Sequence, residues 1–452
     1  MTMFLTEPVL TKRIPTWPWG NPAERVRITG EQYIKTGGYE AWRQAISMDP
    51  SDVIQTVKEA MLRGRGGAGF PAGVKWGFLP EPDGGRRYLA VNCDEAEPGT
   101  FKDRLLVDFD PHMILEGVAI ACWACRLDTA YFFLRGEYRQ QADVMRKAIE
   151  EAYELGIFGP QGLLKGEVNF LVDCHLHRSA GAYICGEETA LLEAIEGKRG
   201  WPRIKPPFPA IKGLFGRPTI VNNVETLAAV PDIIQRGADW YTSLGVESTI
   251  GQPASYGTKL VGVSGHVNRT GVYEVGLGTP IQNIVESDDY CQGMKGGRAY
   301  KACIPGGVSM GVLDGSEFGA ELDFDIGHKY GIMGLGTACP IMFDEGTDMV
   351  MVARNIARFF KNESCGQCTP CREGSQWVYK LLLKIERGQA RPCDLDLLTE
   401  VAGSMGSMPG TTICGLADGT SWSTRTIVEK FRPEFESRIR STAAATVVGA
   451  PS

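Results

Sequence analysis

The chain has 452 residues, which at ~150 residues per domain suggests about three domains and a core that needs no disulfide. Hydrophobic residues make up 43% and charged residues 22%, so global disorder is excluded, and no uninterrupted apolar run reaches the ~18 residues a membrane span needs. The 47 Lys and Arg against 54 Asp and Glu leave a net charge of −7, which argues against a nucleic-acid binder.

The first 20 residues contain no apolar h-region and no Arg/Ser-rich leader, so no secretory or organelle signal is expected and a bacterial origin is. Residues 1–50, with several Pro and Trp, read as an irregular arm. Residues 52–62 read as a short amphipathic helix with Ser51 as N-cap. A glycine loop follows, Arg63-Gly64-Arg65-Gly66-Gly67-Ala68-Gly69-Phe70. Strand and helix signals then alternate. Strands are predicted at 88–92, 129–134 and 170–175, and helices at 113–125 and 141–156. That alternation predicts a largely parallel α/β layer over about 73–240. Near 250 the pattern changes. Residues 259–265 and 271–275 read as a hairpin, followed by a short helix at 281–286 and the loop Ile304-Pro305-Gly306-Gly307, a small α+β module. From about 340 the chain reads as helical, at 347–361, 374–387 and 424–440, before a small polar tail at 441–452 that is expected to fray.

Two residue counts stand out. Gly is 56 of 452, well above the ~7% average, which implies many tight turns or close approaches of backbone to a ligand. Cys is 13, an odd number without a secretory signal, which points to metal or redox use of any tightly spaced set. One such set exists: Cys365-Gly366-Gln367-Cys368-Thr369-Pro370-Cys371. Three thiols at consecutive three-residue steps can each take one iron of a cubic cluster, with a fourth ligand from elsewhere. A structural zinc site is the alternative, although zinc sites more often pair two C-x-x-C knuckles. Cys414, in a small-residue loop, is the favoured fourth ligand, with Cys393 in a charged linker as the other candidate. The remaining cysteines are scattered and read as small buried hydrophobes.

Gly64-x-Gly66-x-x-Gly69 formally matches a dinucleotide fingerprint, but a helix precedes it and Phe70-Pro71 follows, so the required strand-to-helix context fails. With Arg63, Arg65 and Lys75 nearby, the loop reads either as an anion nest for a nucleotide cofactor or as a tight connector. Asn92-Cys93-Asp94-Glu95-Ala96-Glu97 sits at a strand end, where α/β sheets hold ligands; a solvated turn is the plainer reading. Residues 181–189 form a glycine-flanked turn leading into a helix at 189–196. Asn222 and Asn223 open another helix, whose N-terminus suits a phosphate. Phe208, on a Pro-rich loop with Lys205, reads as a stacking ring or as a core aromatic.

Taken together, four motifs carry a resemblance. They are Arg63 to Pro71, Asn92-x-Asp94-Glu95-x-Glu97-Pro98-Gly99, Gly181-Ala182-Tyr183-Ile184-Cys185-Gly186-Glu187-Glu188-Thr189, and Glu363-Ser364-Cys365-Gly366-x-Cys368-x-Pro370-Cys371-Arg372-Glu373-Gly374. Over about 30–435 the chain resembles the NADH-binding flavoprotein subunits of respiratory complex I, the F-type subunits of NADH-quinone oxidoreductase. The resemblance implies an α/β multidomain chain in four parts. These are an N-terminal arm with the glycine loop (1–72), a Rossmann-like FMN/NADH domain (73–243), a ubiquitin-like β-grasp module of SLBB type (244–338) and a C-terminal helical bundle with a [4Fe–4S] cluster (339–452).

Site roles follow from the same resemblance. Gly64, Arg65, Gly66, Gly67 and Lys75 are expected along FMN. Asn92, Asp94 and Glu95 are expected on its ring and ribityl chain, Tyr183, Gly186 and Glu187 lining the flavin, and Asn222, Asn223 and Thr226 at its phosphate. Phe70, Phe78 and Phe208 are expected around NADH, with Glu97, Glu188 and Lys205 as its polar partners. Cys365, Cys368, Cys371 and Cys414 are expected on the cluster. Two departures are small: Ala96 stands at a variable position, and Val308 where relatives often have Ser.

The implied activity is NADH oxidation by hydride transfer to FMN, with electrons passed singly to the cluster, so binding roles are expected rather than a catalytic triad. The implied partners are a [2Fe–2S] E-type subunit and a large iron–sulfur G-type subunit. Membrane contact is expected only through the complex, at the cytoplasmic face of a bacterial inner membrane. Similar subunits serve NAD-reducing hydrogenases and NAD-dependent formate dehydrogenases, and these are the alternative.

Overall fold

A parallel four-stranded sheet is the frame of the first half of the chain. In the computed structural model, which describes residues 5, 7–15, 26–159, 170–406 and 411–445, its strands are β1 (Tyr88–Cys93), β2 (Thr129–Leu134), β3 (Asp173–Arg178) and β4 (Thr219–Asn223). The order is β3-β2-β1-β4, and Tyr88 stands level with both Thr129 and Thr219. Leu89, Ala90 and Val91 are fully buried because helices cover both faces. On one face lie helices Pro111–Cys125, Arg139–Glu154 and Val224–Arg236; on the other, helix Glu188–Ile195 and the C-terminal helices share a core with Tyr88, Ala90, Phe133 and Val221.

Several sequence expectations need correction. Residues 30–35 and 40–46 of the expected irregular arm are helices, Gly30–Lys35 and Glu40–Ile46, and Tyr33, Trp42 and Ala45 join the core of the α/β layer. The first is fixed by a capping box, in which Thr29 and Gln32 satisfy each other's backbone N–H groups. The next helix is Pro50–Glu59 with Asp49 at its N-cap, rather than starting after Ser51, since Pro suits the first helical position. β3 begins three residues later than expected. Its apolar lead-in is used differently, Phe170 lying edge-on against Trp123 while Leu171 is exposed. β4, ending at Asn223, has no counterpart among the expected strands; Asn222 belongs to it and only Asn223 caps the helix.

A second sheet holds β5 (Thr258–Gly265), β6 (Gly271–Gly276), β7 (Tyr300–Ile304), β8 (Leu313–Asp314) and β9 (Ile341–Asp344). The order is β6-β5-β9-β7-β8, with β5 and β9 parallel at the centre and helix Ile281–Glu286 after the first hairpin. That is the β-grasp arrangement, with its own core around Val261, Val275, Ile284 and Met342.

The C-terminal part contains helices Met349–Glu363, Thr369–Glu386, Pro392–Met405, Leu416–Lys430 and Arg432–Ala445. The helix expected at 424–440 is two helices that meet at Phe431, and Pro392–Met405 replaces the expected linker. Residues 441–445 of the expected tail belong to the last helix, and 446–452 lie outside the described residues, as do 1–4, 6 and 16–25 of the arm. Among the described residues, no helix is long and apolar enough to cross a membrane.

Candidate functional site

The chain runs from β1 outward to β2 and β3, then returns to place β4 on the other side of β1. The crevice beyond the carboxyl ends of β1 and β4 is therefore a topological switch point, where open α/β sheets hold ligands. A cavity of about 680 Å³ lies there. Gly66, Gly67, Asn92, Asp94, Glu95, Glu97, Tyr183, Gly186, Glu187, Asn223 and Cys414 all stand on its wall.

The acidic loop after β1 is held residue by residue. Asn92 donates to the Gly186 carbonyl at 2.9 Å and its Oδ1 accepts from the Asp94 N–H at 3.0 Å, joining β1 to the turn Tyr183–Gly186. Asp94 is buried, and among the described residues neither carboxylate oxygen has a hydrogen-bond partner. Burial raises its pKa to about 7, with Arg135 pulling the other way. Glu95 accepts from the Asp103 N–H at 2.8 Å and the Tyr138 hydroxyl at 2.9 Å, and burial also takes it to about 7. Glu97 accepts from the Tyr183 hydroxyl at 2.6 Å and from the Ser309 N–H and hydroxyl at 2.8 Å each. Burial raises its pKa, and those three donors pull it back.

The glycine loop presents bare backbone. A Cβ on Gly66 would meet the Asn223 Cβ at 3.1 Å, and one on Gly186 would meet the Asp94 carbonyl at 3.2 Å. Gly67 has φ +134°, a conformation that side-chain-bearing residues rarely adopt. Arg65 does not face the cavity. Its guanidinium turns inward to the Tyr241 hydroxyl at 2.8 Å and the Tyr256 carbonyl at 2.7 Å, and its N–H donates to Thr226 Oγ1 at 2.8 Å. Thr226 thus fixes the loop, and Asn222 accepts from Trp76 Nε1 at 2.9 Å. Asn223 caps Glu225 and donates to Asp103 at 2.7 Å. Gly64 pairs its N–H with the Phe70 carbonyl at 2.9 Å.

Lys75, Glu188 and Lys205 form a bridge rather than part of the cavity wall. Glu188 lies 3.6 Å from Lys75 and accepts from Lys205 at 2.9 Å, and Lys205 also reaches Glu187 at 3.1 Å. The bridge ties the Pro-rich loop of Phe208 to helix Ala72–Trp76, beside which Phe70 and Phe78 form a tilted pair at 6.0 Å. All three Phe rings are exposed, so Phe208 is not a core aromatic.

Of the four expected cluster cysteines, only Cys414 lines the cavity. Cys371 lies in the first turn of helix Thr369–Glu386, Cys368 is its N-cap, and Cys414 is two residues before helix Leu416–Lys430. Helix N-termini favour thiolates. All four pack against one core. Burial first, and the neighbouring thiols with it, push Cys371 and Cys414 up to about 11 and 12. Among the described residues, no three His, Cys, Asp or Glu side chains are grouped to hold a single metal ion. Cys393 is exposed on helix Pro392–Met405, and the other eight cysteines are buried.

Two features escaped the sequence reading. Loops of the β-grasp module roof the cavity with Gly306, Ser309, Met310, Leu335, Gly336 and Thr337. The glycines at 306, 307, 331, 334 and 336 were the available signal. Lys102 and Asp103 are on the cavity wall, where Lys102 contacts Asp103 at 2.6 Å, and Lys102 and Lys259 share the buried Glu225 at 2.7 and 2.5 Å. No spacing rule joins those four residues.

These residues fit a flavin mononucleotide. The cavity volume, the bare glycine backbone and a buried carboxylate without a donor suit a planar ring with N–H and C=O edges. The thiols fit an iron–sulfur cluster, whose four thiolates are spread over four irons.

Known proteins agree. A family model described as Nuo51 FMN-binding domain matches residues 57–232, and one described as NADH-ubiquinone oxidoreductase-F iron-sulfur binding region matches 351–438. An F-type subunit of NADH-quinone oxidoreductase from Rhizobium meliloti, the second of two in that organism, is 46% identical over 90% of this chain and 93% of its own. The F-type subunit of Rickettsia bellii is 42% identical over 90% and 94%. Two structures of an NAD+-reducing [NiFe]-hydrogenase, air-oxidized and H2-reduced, superpose with TM-scores of 0.77 at 34% and 33% identity. They cover 95% and 97% of this chain, which spans 66% and 74% of those chains. The chain belongs to the family of F-type subunits of NADH-quinone oxidoreductase.

Proposed function

We propose that this chain is the electron-entry subunit of an NADH:quinone oxidoreductase. The observation that carries the reading is a shared wall: one cavity is lined both by the orphaned Asp94 carboxylate and by Cys414, beside the cysteine loop. Bound FMN supplies hydride acceptance from NADH and release of electrons one at a time.

The protein's own part is to bind, orient and exclude water. Asn92, Asp94 and Glu95 offer acceptors at the cavity floor, and Gly66, Gly67 and Gly186 let a ring approach the backbone. Glu97, fixed by Tyr183 and Ser309, presents a rigid carboxylate to the nicotinamide end of NADH. Phe70, Phe78 and Phe208 offer stacking surfaces for its adenine, with Lys205 and Glu188 at the rim. Thr226 and Asn222 act indirectly, by fixing the glycine loop and Trp76, while Asn223 and the N-terminus of helix Val224–Arg236 suit the phosphate. Arg65 serves through its backbone. Cys365, Cys368, Cys371 and Cys414 hold the [4Fe–4S] cluster.

A subunit of this family works in a complex. We assign as partners an E-type [2Fe–2S] subunit and a large G-type iron–sulfur subunit, with the assembly at the cytoplasmic face of a bacterial inner membrane. The four-part division at 72, 243 and 338 is part of the same proposal. The likeness to hydrogenase chains supports a second reading, the NADH-flavin subunit of an NAD+-reducing hydrogenase.

The test is the visible spectrum of protein purified without oxygen, before and after NADH. Flavin bands over an iron–sulfur shoulder, bleached by NADH, are expected; a colourless zinc protein defeats the proposal. The proteins that copurify, and quinone- against hydrogen-linked activity, separate the two readings.

A further inference from the structure

The segment that carries three of the cluster cysteines is tied to the flavin cavity from two sides. Glu363, the last residue of helix Met349–Glu363, accepts at Oε2 from the Tyr183 N–H at 3.2 Å. Tyr183 begins the turn on the cavity wall, and its ring lies edge-on to Phe359 with centroids 5.0 Å apart. On the other side, Trp201 Nε1 donates to the Cys365 carbonyl at 3.2 Å. Trp201 belongs to the segment that continues into Lys205 and Phe208. That segment is locked down where the Arg203 N–H meets Thr189 Oγ1 at 2.8 Å and Lys205 meets Glu188. Glu188 and Thr189 open the helix that follows the Tyr183–Gly186 turn. Turn, helix, nucleotide rim and cysteine loop therefore close a ring of contacts in which Glu363 and Trp201 each make a hydrogen-bonded link to the cysteine loop.

We propose that Glu363 and Trp201 are positioning residues that hold the cysteine loop against the cavity and so set the separation across which electrons leave the flavin site. The inference rests on the flavin and cluster assignments above. The balance is NADH → NAD+ + 2 e− + H+. Each passage to the cluster moves one electron and no proton, two passages complete one turnover, and the proton goes to solvent. Neither residue touches the reacting atoms. Their role is to keep a donor–acceptor geometry that a small displacement would spoil.

The experiment uses the full chain with flavin and iron bound. Stopped-flow bleaching of flavin by NADH is compared with freeze-quench EPR of the cluster, in Glu363→Ala, Glu363→Gln and Trp201→Phe. Glu363→Ala and Trp201→Phe are expected to slow cluster reduction relative to flavin bleaching by roughly tenfold, with flavin and iron contents unchanged. Glu363→Gln retains an amide oxygen that can accept the Tyr183 N–H, so it is expected to restore the wild-type ratio. Wild-type ratios in both Glu363→Ala and Trp201→Phe overturn the proposal. A Glu363→Gln ratio as low as that of Glu363→Ala also overturns it, because charge rather than the hydrogen bond would then matter. If Glu363→Ala loses its iron, Trp201→Phe, on a partly exposed side chain, decides alone. A wild-type chain without flavin or iron signals failure of the underlying assignment instead.

Discussion

The Tyr183 hydroxyl donates to Glu97 Oε2 at 2.6 Å, while Ser309 from the β-grasp module supplies two donors to Oε1. One carboxylate thus joins the acidic loop after β1, the turn before helix Glu188–Ile195 and the roof of the cavity. Glu97→Gln keeps the shape but replaces one accepting oxygen by an N–H2 group that must face a donor. An unmade hydrogen bond of this kind costs about 1–3 kcal/mol, so NADH affinity is expected to fall roughly tenfold or more. Unchanged affinity in a titration against the flavin-loaded protein would show that Glu97 plays no part in nucleotide binding.

Asp94 gives the site a pH signature. Burial raises its pKa from 3.8 to about 7, so in the unliganded fold the charged form is disfavoured. Its destabilising effect is full above about pH 7 and is relieved as pH falls from there toward 3.8. A ligand N–H on this carboxylate reverses the balance and lowers the pKa. Flavin affinity is then expected to rise with pH up to about 7, with release of a proton on binding. Calorimetry of apoprotein with FMN in buffers of different ionisation heat measures that release. The Glu95 oxygens already accept from the Asp103 N–H and the Tyr138 hydroxyl, so Asp94→Asn is expected to remove most of the release. Proton uptake in the wild type would rule the assignment out.

Cys414 and Cys393 are the rivals for the fourth thiolate. Cys414 is electrostatically in reach of Cys371 and Cys365, whereas Cys393 is exposed beside Arg391. Cys414→Ser is expected to abolish or strongly distort the EPR signal of the reduced cluster and to lower iron content. Cys393→Ser is expected to retain both. The opposite pattern would exchange the two assignments.

Glu225 is the counter-ion of two buried lysines. Burial opposes its ionisation, but Lys102 and Lys259 overcome that and hold its pKa down to about 2, from 4.5. Its contribution to stability is full above pH 4.5 and is lost as pH falls toward 2. Glu225→Gln leaves Lys259 without its carboxylate and Lys102 with Asp103 alone, and a buried charge left without its partner costs about 3–5 kcal/mol. A marked fall in the urea midpoint at neutral pH is expected, with a shallower acid limb than in the wild type. A midpoint within error of wild type would mean that the lysines find other partners.

At Gly67, φ is +134° and the backbone lines the cavity. Gly67→Ala adds strain of roughly 1–2 kcal/mol and a methyl group at a position where the backbone stands bare. Flavin content after purification is expected to fall well below stoichiometric while the protein stays folded by circular dichroism. Full flavin content would mean that the loop relaxes away from the ring.

Much of this protein was legible locally. The strands at 88 and 129, the hairpin and the helix at 281 follow from apolar period and turn residues. The cysteine triplet and the acidic loop are short-range patterns, readable because their chemistry lies within a few consecutive residues. The strand at 219 was missed since Val221-Asn222-Asn223 mixes an apolar lead with polar residues that look like a helix start. The helices at 30–46 were missed because their stability comes from packing of Tyr33 and Trp42 against a distant helix, not from their own periodicity.

The sequence alone determined the kinds of group present: a glycine loop, an acidic strand end and a thiol triplet, together with the family they resemble. Only the tertiary structure decided which of them share a cavity. It turned Arg65 into the core, placed Cys414 on the cavity wall, brought Ser309 to Glu97 from 212 residues away and buried Glu225 between two lysines. The physical reason is range. Backbone period and motif chemistry act over a few residues, whereas burial and charge pairing are set by strand order and by how three cores pack together.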